Sequence, residues 1–275
     1  MNEIFNQIVT SIQQKIDISR HSETFLKSLI ENRMNEIACK SLEAYGLLFA
    51  QNETESDVLQ ARVWNAHSLF FRNKFSFEIL KKMVMPSLIA QKNAGKELRI
   101  WSAGCANGQE PYSLAMVLEE LKAIYPKPFR YRIFATDVNP TNIEHAKTGI
   151  YNKNDMPRVS FGQKEKWFTK QEEVFVLSDV LKANVHFEHL DLFDKECAVP
   201  RASIFGDFDI VFCANVLYYY KEEYQFLLIN RIIQSLSSDG LIVAGEVERD
   251  LFLKQNFIEI YPQSCLFSAY KKLQG

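Results

Sequence analysis

The chain has 275 residues, 47% of them hydrophobic, which suffices for one large or two modest domains with a substantial core. Its 32 basic and 34 acidic residues leave a formal net charge of −2, so no global field draws it to nucleic acid or an anionic membrane surface, and any charge preference is local. Apolar runs stop short of the roughly 18 residues that a membrane span needs. The polar opening Met1-Asn2-Glu3 is unlike a signal peptide, and Cys39, Cys105, Cys197, Cys213 and Cys265 lack any C-x-x-C spacing. The expectation is a cytoplasmic protein without membrane insertion, disulfide framework or metal site.

In chain order, Ile4, Ile8, Ile12 and Ile16 recur at four-residue steps, so residues 2 to 16 read as an amphipathic helix. Ser22 caps a second helix whose buried stripe is Phe25, Leu26, Leu29, Ile30, Met34 and Ile37. Leu42–Phe49 and Val58–Trp64 add two shorter helical patterns, completing an all-α unit. Arg20, Lys27, Arg33 and Lys40 on the second helix form either a solvated face or a place for an acidic partner. Next comes Ser68-Leu-Phe-Phe-Arg72, which either buries its aromatics with Arg72 left outside or presents Arg72 into an aromatic-walled site. A helix from about Phe75 to Ala90, broken near Pro86, follows.

The stretch Leu98 to Met116 organises the rest: an apolar strand, a turn of small residues including Ala103, Gly104 and Gly108, then a helix. In an open α/β sheet such a turn lies at a strand's carboxyl end, where a ligand approaches the backbone and a helix N-terminus. The spacing fits neither dinucleotide nor P-loop signature. Glu110 at the helix start repels phosphate and attracts a cation. An ordinary strand-to-helix turn is the competing reading.

Tyr131–Thr136 is the next strand, with Asp137 at its end as a ribose-binding carboxylate or, alternatively, a helix cap. Val174–Leu177 and Asn184–Phe187 read as short strands around a polar turn, an inserted hairpin. The alternation resumes at His186–Leu190, ending on Asp191-Leu192. Asp209–Cys213 is a buried parallel strand leading to Ala214-Asn215-Val216 and three tyrosines. A helix over Glu222–Leu236, a strand over Leu241–Gly245 and a final antiparallel pair within Phe257–Tyr270 close the chain.

Four segments in this order resemble those of the CheR-type chemotaxis receptor methyltransferases, which methylate receptor glutamates using S-adenosylmethionine. Ser68-Leu-Phe-Phe-Arg72 is similar to Thr-x-Phe-Phe-Arg, and Trp101-Ser-Ala-Gly-Cys-Ala-Asn-Gly-Gln-Glu-Pro-Tyr-Ser113 to W-[SC]-A-x-x-[SA]-x-G-x-E-P-Y-S. Thr136-Asp137 with Gly149-Ile-Tyr151 is similar to [TS]-D-I…G-I-Y, and Phe212-Cys-Ala-Asn-Val-Leu-Tyr-Tyr219 to F-C-R-N-V-x-x-Y. The resemblance implies an α/β fold: a doubly wound, Rossmann-like class I methyltransferase sheet with an antiparallel C-terminal edge, preceded by a small all-α N-terminal domain. The boundaries expected are 1–70 and 71–275, with an inserted β-hairpin subdomain over about 152–185. It implies that Ser68, Arg72, Ala103, Gly104, Glu110, Asp137, Asp191, Leu192, Asn215 and Val216 hold S-adenosylmethionine and its product S-adenosylhomocysteine. Arg72 and Tyr219 would serve catalysis. Departures stand at Ala66 for Asn, Ser68 for Thr, Ala214 for Arg and Glu246-Val247 for His-Ser, and these touch the acceptor side more than the cofactor side. A binding-only sensor, or a transferase for another acceptor, are the rival readings.

The implied partner is the cytoplasmic helices of a methyl-accepting chemotaxis receptor, met by a monomer through Arg20, Lys27 and Arg33. Family members that tether a receptor's tail peptide carry glycine in the inserted hairpin, whereas Glu173–Glu188 contains none. No tail tether is therefore expected.

Overall fold

The computed structural model describes residues 3–63, 68–92 and 96–271. It divides into two units: Met1–Ala66 with Leu217–Leu227, and His67–Val216 with Leu228–Gly275. The departure at Ala66 lies outside the described residues.

The first unit is built on α1 (Glu3–Gln13), α2 (Glu23–Glu36), α3 (Leu42–Gln51) and α4 (Glu53–Val63). Ser22 and Ser41 cap α2 and α3, their hydroxyls accepting from the N–H groups of Phe25 and Ala44. Ile8, Ile12, Leu26, Ile30, Tyr45 and Leu59 form the core. The returning stretch from Leu217 closes against the start of α2: Tyr219 O accepts from Ser22 N at 2.8 Å, and the Tyr219 ring meets Phe25 edge-on at 4.8 Å.

A charged cluster lies inside this unit. Arg33 grips Glu55 with Nε at 2.7 Å and Nη2 at 2.9 Å, and the Tyr45 hydroxyl donates to Glu55 Oε1 at 2.9 Å. Lys27 pairs with Glu23 at 2.5 Å. Arg33 and Lys27 are thus engaged by acids of their own unit, which weakens the reading of this face as a free basic surface. The Arg33 guanidinium, and then Tyr45, hold the Glu55 carboxyl below its ordinary value against the opposing effect of burial. Glu55→Gln removes the buried counter-charge of Arg33, leaving it the longer contact to Glu36 at 3.4 Å, and is expected to cost about 2–4 kcal/mol in chemical denaturation at neutral pH. Because the folded pKa is depressed, this stabilisation is complete above the unfolded carboxylate's titration range and lost as pH falls through the folded value. The gap between wild type and variant therefore narrows in acid.

The second unit begins with α5 (Lys74–Ile79), a π turn (Leu80–Val84) and α6 (Met85–Gln91). The break expected near Pro86 is this π turn: Pro86 donates no N–H, and the widened turn precedes it, with Pro86 in the first turn of α6. Then come β1 (Glu97–Ala103), α7 (Gln109–Ile124), β2 (Arg130–Asp137), α8 (Pro140–Thr148), β3 (Ile150–Asn152), α9 (Phe161–Trp167), β4 (Phe168–Gln171), β5 (Val174–Leu177), α10 (Asp179–Lys182) and β6 (Val185–His189). The chain ends with β7 (Phe208–Cys213), α11 (Glu222–Ser235), β8 (Leu236–Ala244), α12 (Arg249–Lys254), β9 (Phe257–Glu259) and β10 (Leu266–Lys271).

Seven strands form one sheet in the order β6-β2-β1-β7-β8-β10-β9. The first five are parallel, and β10 runs antiparallel to both β8 and β9. This is the expected doubly wound, Rossmann-like sheet with an antiparallel edge, and its order reverses between β1 and β7, where such sheets bind ligands. Every residue of β7 is buried, as a strand covered on both faces requires.

The insert differs from its expected pairing. β4 and β5 are the hairpin, joined at Glu172-Glu173 with Glu172 at φ +48°, and β3 completes a three-stranded antiparallel sheet. The segment expected to partner Val174–Leu177 instead contributes β6 to the main sheet, Val185 lying beside Ile133. Ser178-Asp179 opens the short helix α10 between them, so the polar stretch is a helix start rather than a hairpin turn.

Candidate active site

The turn after β1 is fastened to the end of β2. The N–H groups of Gly104 and Cys105 both donate to Thr136 O, at 2.8 and 2.9 Å, and Ala106 N donates to Asp137 Oδ2 at 2.9 Å. Gly104 has φ +81°, and a Cβ there would lie 2.6 Å from Val216 Cγ2, so β1 and the β7 loop approach as only glycine permits. Ala103 and Val216 are buried beside it. Burial pushes the Cys105 thiol well up, which makes it a packing residue.

Asp137 is 5% exposed. Its Oδ1 accepts from Asn139 N at 2.9 Å and from Asn142 Nδ2 at 3.2 Å. The cap of α8 is Asn139, whose side chain accepts from Thr141 N, so Asp137 is not the cap. With Ala106 these donors occupy three of roughly four acceptor positions of a carboxylate. Burial raises its pKa, opposed by these donors.

Arg72 and the aromatics before it are placed by one device. Phe70 is fully buried, with its ring 4.8 Å from Tyr151, and Phe71 stacks edge-on with Phe77 at 5.3 Å. Phe71 N donates to Ser113 Oγ at 3.0 Å, and its φ of +50° turns the chain so that the next residue, Arg72, is exposed. The phenylalanines are core and Arg72 is left outside them, as the first of the two readings has it. Arg72 lines a cavity of about 170 Å³ together with Asn73, Glu110, Asn215 and Glu246.

Glu110 lies in the first turn of α7, where Ser102 Oγ donates to its Oε1 at 2.7 Å. Desolvation pushes its carboxyl up to about 7, against Ser102 and the nearby Arg72, while Glu248 adds to the rise. A counter-cation relieves that strain. Asn73 caps α5 through Oδ1, and its Nδ2 is buried without a hydrogen-bond partner.

Two supports, Glu248 and Arg231, escaped the sequence reading. Glu248 is 2% exposed, and its Oε2 accepts from Asn215 N and Gly245 N, both at 2.8 Å, tying the β7 and β8 loops together. Asn215 itself has φ +61°. Arg231 on α11 donates to Leu192 O at 2.8 Å and to Asp194 O at 2.6 Å, while Asp191 Oδ1 accepts from Phe193 N at 2.9 Å, so the loop after β6 is held in shape. Acidic or basic singletons far along the chain carry no pattern that marks them as loop braces. Ser68 is half-buried before Phe70, and neither it nor Asp137, Asp191 or Leu192 lines the 170 Å³ cavity. Tyr219 belongs to the first unit, its ring against Phe25 and Tyr218.

Residues 66–263 match the CheR methyltransferase, SAM binding domain family. The chain belongs to the CheR methyltransferase family. It is 32% identical over 229 residues to chemotaxis protein methyltransferase 1 of Pseudomonas aeruginosa, covering 80% of this chain and 81% of that one. The chemotaxis protein methyltransferase of Escherichia coli is 27% identical, covering 92% and 86% of the two chains, and that of Borreliella burgdorferi is 26% identical, covering 85% and 82%. The chain is accordingly an S-adenosylmethionine-dependent methyltransferase. Its residues fit that cofactor: a glycine cradle that a Cβ would fill, a strained carboxylate awaiting a cation at Glu110, and an unpartnered amide donor at Asn73 suited to a carboxylate.

Proposed function

We propose that the protein forms methyl esters on glutamate side chains of chemotaxis receptors. The observation that carries this reading is the pairing of Arg72 with Glu110 on one cavity, a cation for an acceptor carboxylate beside an anion for the cofactor's positive charge. S-adenosylmethionine supplies a methyl on a sulfonium, and its passage to a carboxylate oxygen breaks the S–C bond, returns the pair to sulfur and leaves S-adenosylhomocysteine and a neutral ester. An acceptor glutamate with an ordinary pKa of about 4.3 is already ionised at neutral pH, so no residue need remove a proton. The work left to the chain is orientation and exclusion of water. Arg72 holds the carboxylate by its planar fork, Glu110 and Asn73 hold the amino-acid end of the cofactor, and Asp137, Asp191 and Leu192 hold its adenosine. Gly104 and the loop fixed by Glu248 let both reactants reach the same backbone.

The acceptor is the receptor's cytoplasmic helical region, so the protein works in the cytoplasm, as a monomer. Incubation with methyl-labelled cofactor and a receptor cytoplasmic fragment should transfer label that mild base releases as methanol. Binding of S-adenosylhomocysteine without any transfer would mean a sensor instead. We also propose that no receptor-tail peptide is tethered: the β4-β5 turn is made by two glutamates and β4 is four residues long, a short edge for strand addition. A peptide from a receptor's C-terminus should show no binding in calorimetry at micromolar concentration, and binding lost on deletion of residues 168–177 would contradict this.

A further inference from the structure

Beside the 170 Å³ cavity lies a larger cleft of about 550 Å³, walled by α5, α7 and the segment entering α9, and the two share Phe77 and Arg158. Its acids are already satisfied: Glu78 pairs with Lys82 at 2.7 Å and Glu120 with Lys81 at 2.5 Å. Lys74, Arg158 and Lys166 line the same cleft, are exposed, and make no ion pair among the described residues. Lys166 Nζ stands 4.5 Å over the Trp167 ring, a contact that holds it without neutralising its charge. The cleft therefore presents uncompensated positive charge over an apolar floor of Phe71, Phe77 and Val117.

We propose that this cleft docks an acidic segment of the acceptor protein, flanking the glutamate that is methylated. The inference rests on the glutamyl-transfer reading, because an acceptor carboxylate held at Arg72 requires its chain to pass close by, and Arg158 lines both spaces. Single exposed ion pairs contribute little, but several cations around one concave surface act together and select acidic sequence next to the acceptor. Selection of this kind weakens with salt.

The test uses the full chain saturated with S-adenosylhomocysteine and two fluorescent peptides, a central glutamate flanked either by glutamates or by glutamines. The acidic peptide should bind more tightly, and K74E/K166E should weaken it about tenfold while leaving the glutamine peptide and S-adenosylhomocysteine affinity unchanged. Raised salt should narrow the difference between the peptides. Equal binding of both peptides, binding of neither, or an unchanged acidic peptide in K74E/K166E would overturn the proposal. Methyl transfer to the acidic peptide is read separately: its absence despite charge-dependent binding defeats the transfer reading and not the cleft, whereas transfer that ignores the flanking charge defeats the cleft alone.

Discussion

Arg72→Lys is expected to lower methyl transfer by about 100-fold or more while the melting temperature changes little. Lysine keeps the charge but loses the two-pronged donor geometry that fixes a carboxylate in line with a departing sulfur. Such misplacement by about an ångström is enough for that loss. The fold should tolerate the change, because the segment is anchored by buried Phe70 and Phe71 and by the Phe71 N–H on Ser113, none of which involves the guanidinium. S-adenosylhomocysteine affinity measured by calorimetry should fall far less than turnover. A variant that unfolds early yet turns over normally would return Arg72 to a structural role.

The second large effect is expected at Glu110. Its carboxyl titrates near 7 in the free protein, and only the ionised form attracts the ammonium and sulfonium of the cofactor. Affinity for S-adenosylmethionine should therefore fall about tenfold for each pH unit below that value and level off above it. Glu110→Gln should weaken binding by about 10–100-fold at neutral pH and flatten the profile. The stability effect has the opposite sign. A carboxyl whose folded pKa is raised loses stability as pH climbs from the ordinary carboxylate value towards 7, so the glutamine variant should melt no earlier than wild type at neutral pH. Weaker binding together with lost stability would mean that Glu110 serves the fold.

The parallel strands were legible because burial on both faces demands apolar runs such as Asp209–Cys213, and the turns between them because Gly104 and Gly108 meet backbone requirements that side chains cannot. The helical N-terminal unit followed from the four-residue steps of Ile4, Ile8, Ile12 and Ile16, and the antiparallel edge from a final pair of strands around Pro262. The insert was misread where two short apolar runs competed for one partner, since a four-residue strand carries no register of its own and Phe168–Gln171, with only Phe168 buried, scarcely looks like a strand. Glu248 and Arg231 stayed invisible for a different reason. They act on backbone atoms of loops 33 and 39 residues away, and such contacts leave no spacing in the sequence.

The central claim is that a glutamate carboxylate and the cofactor's methyl meet in the cavity between Arg72 and Glu110. Tandem mass spectrometry of a receptor cytoplasmic fragment, after reaction with isotopically labelled S-adenosylmethionine, tests it most directly. The account predicts the labelled methyl as an ester on glutamate side chains, absent when Arg72 is lysine although S-adenosylhomocysteine still binds that variant. Label on lysine, arginine or a backbone terminus, or ester formation that survives Arg72→Lys undiminished, would contradict it.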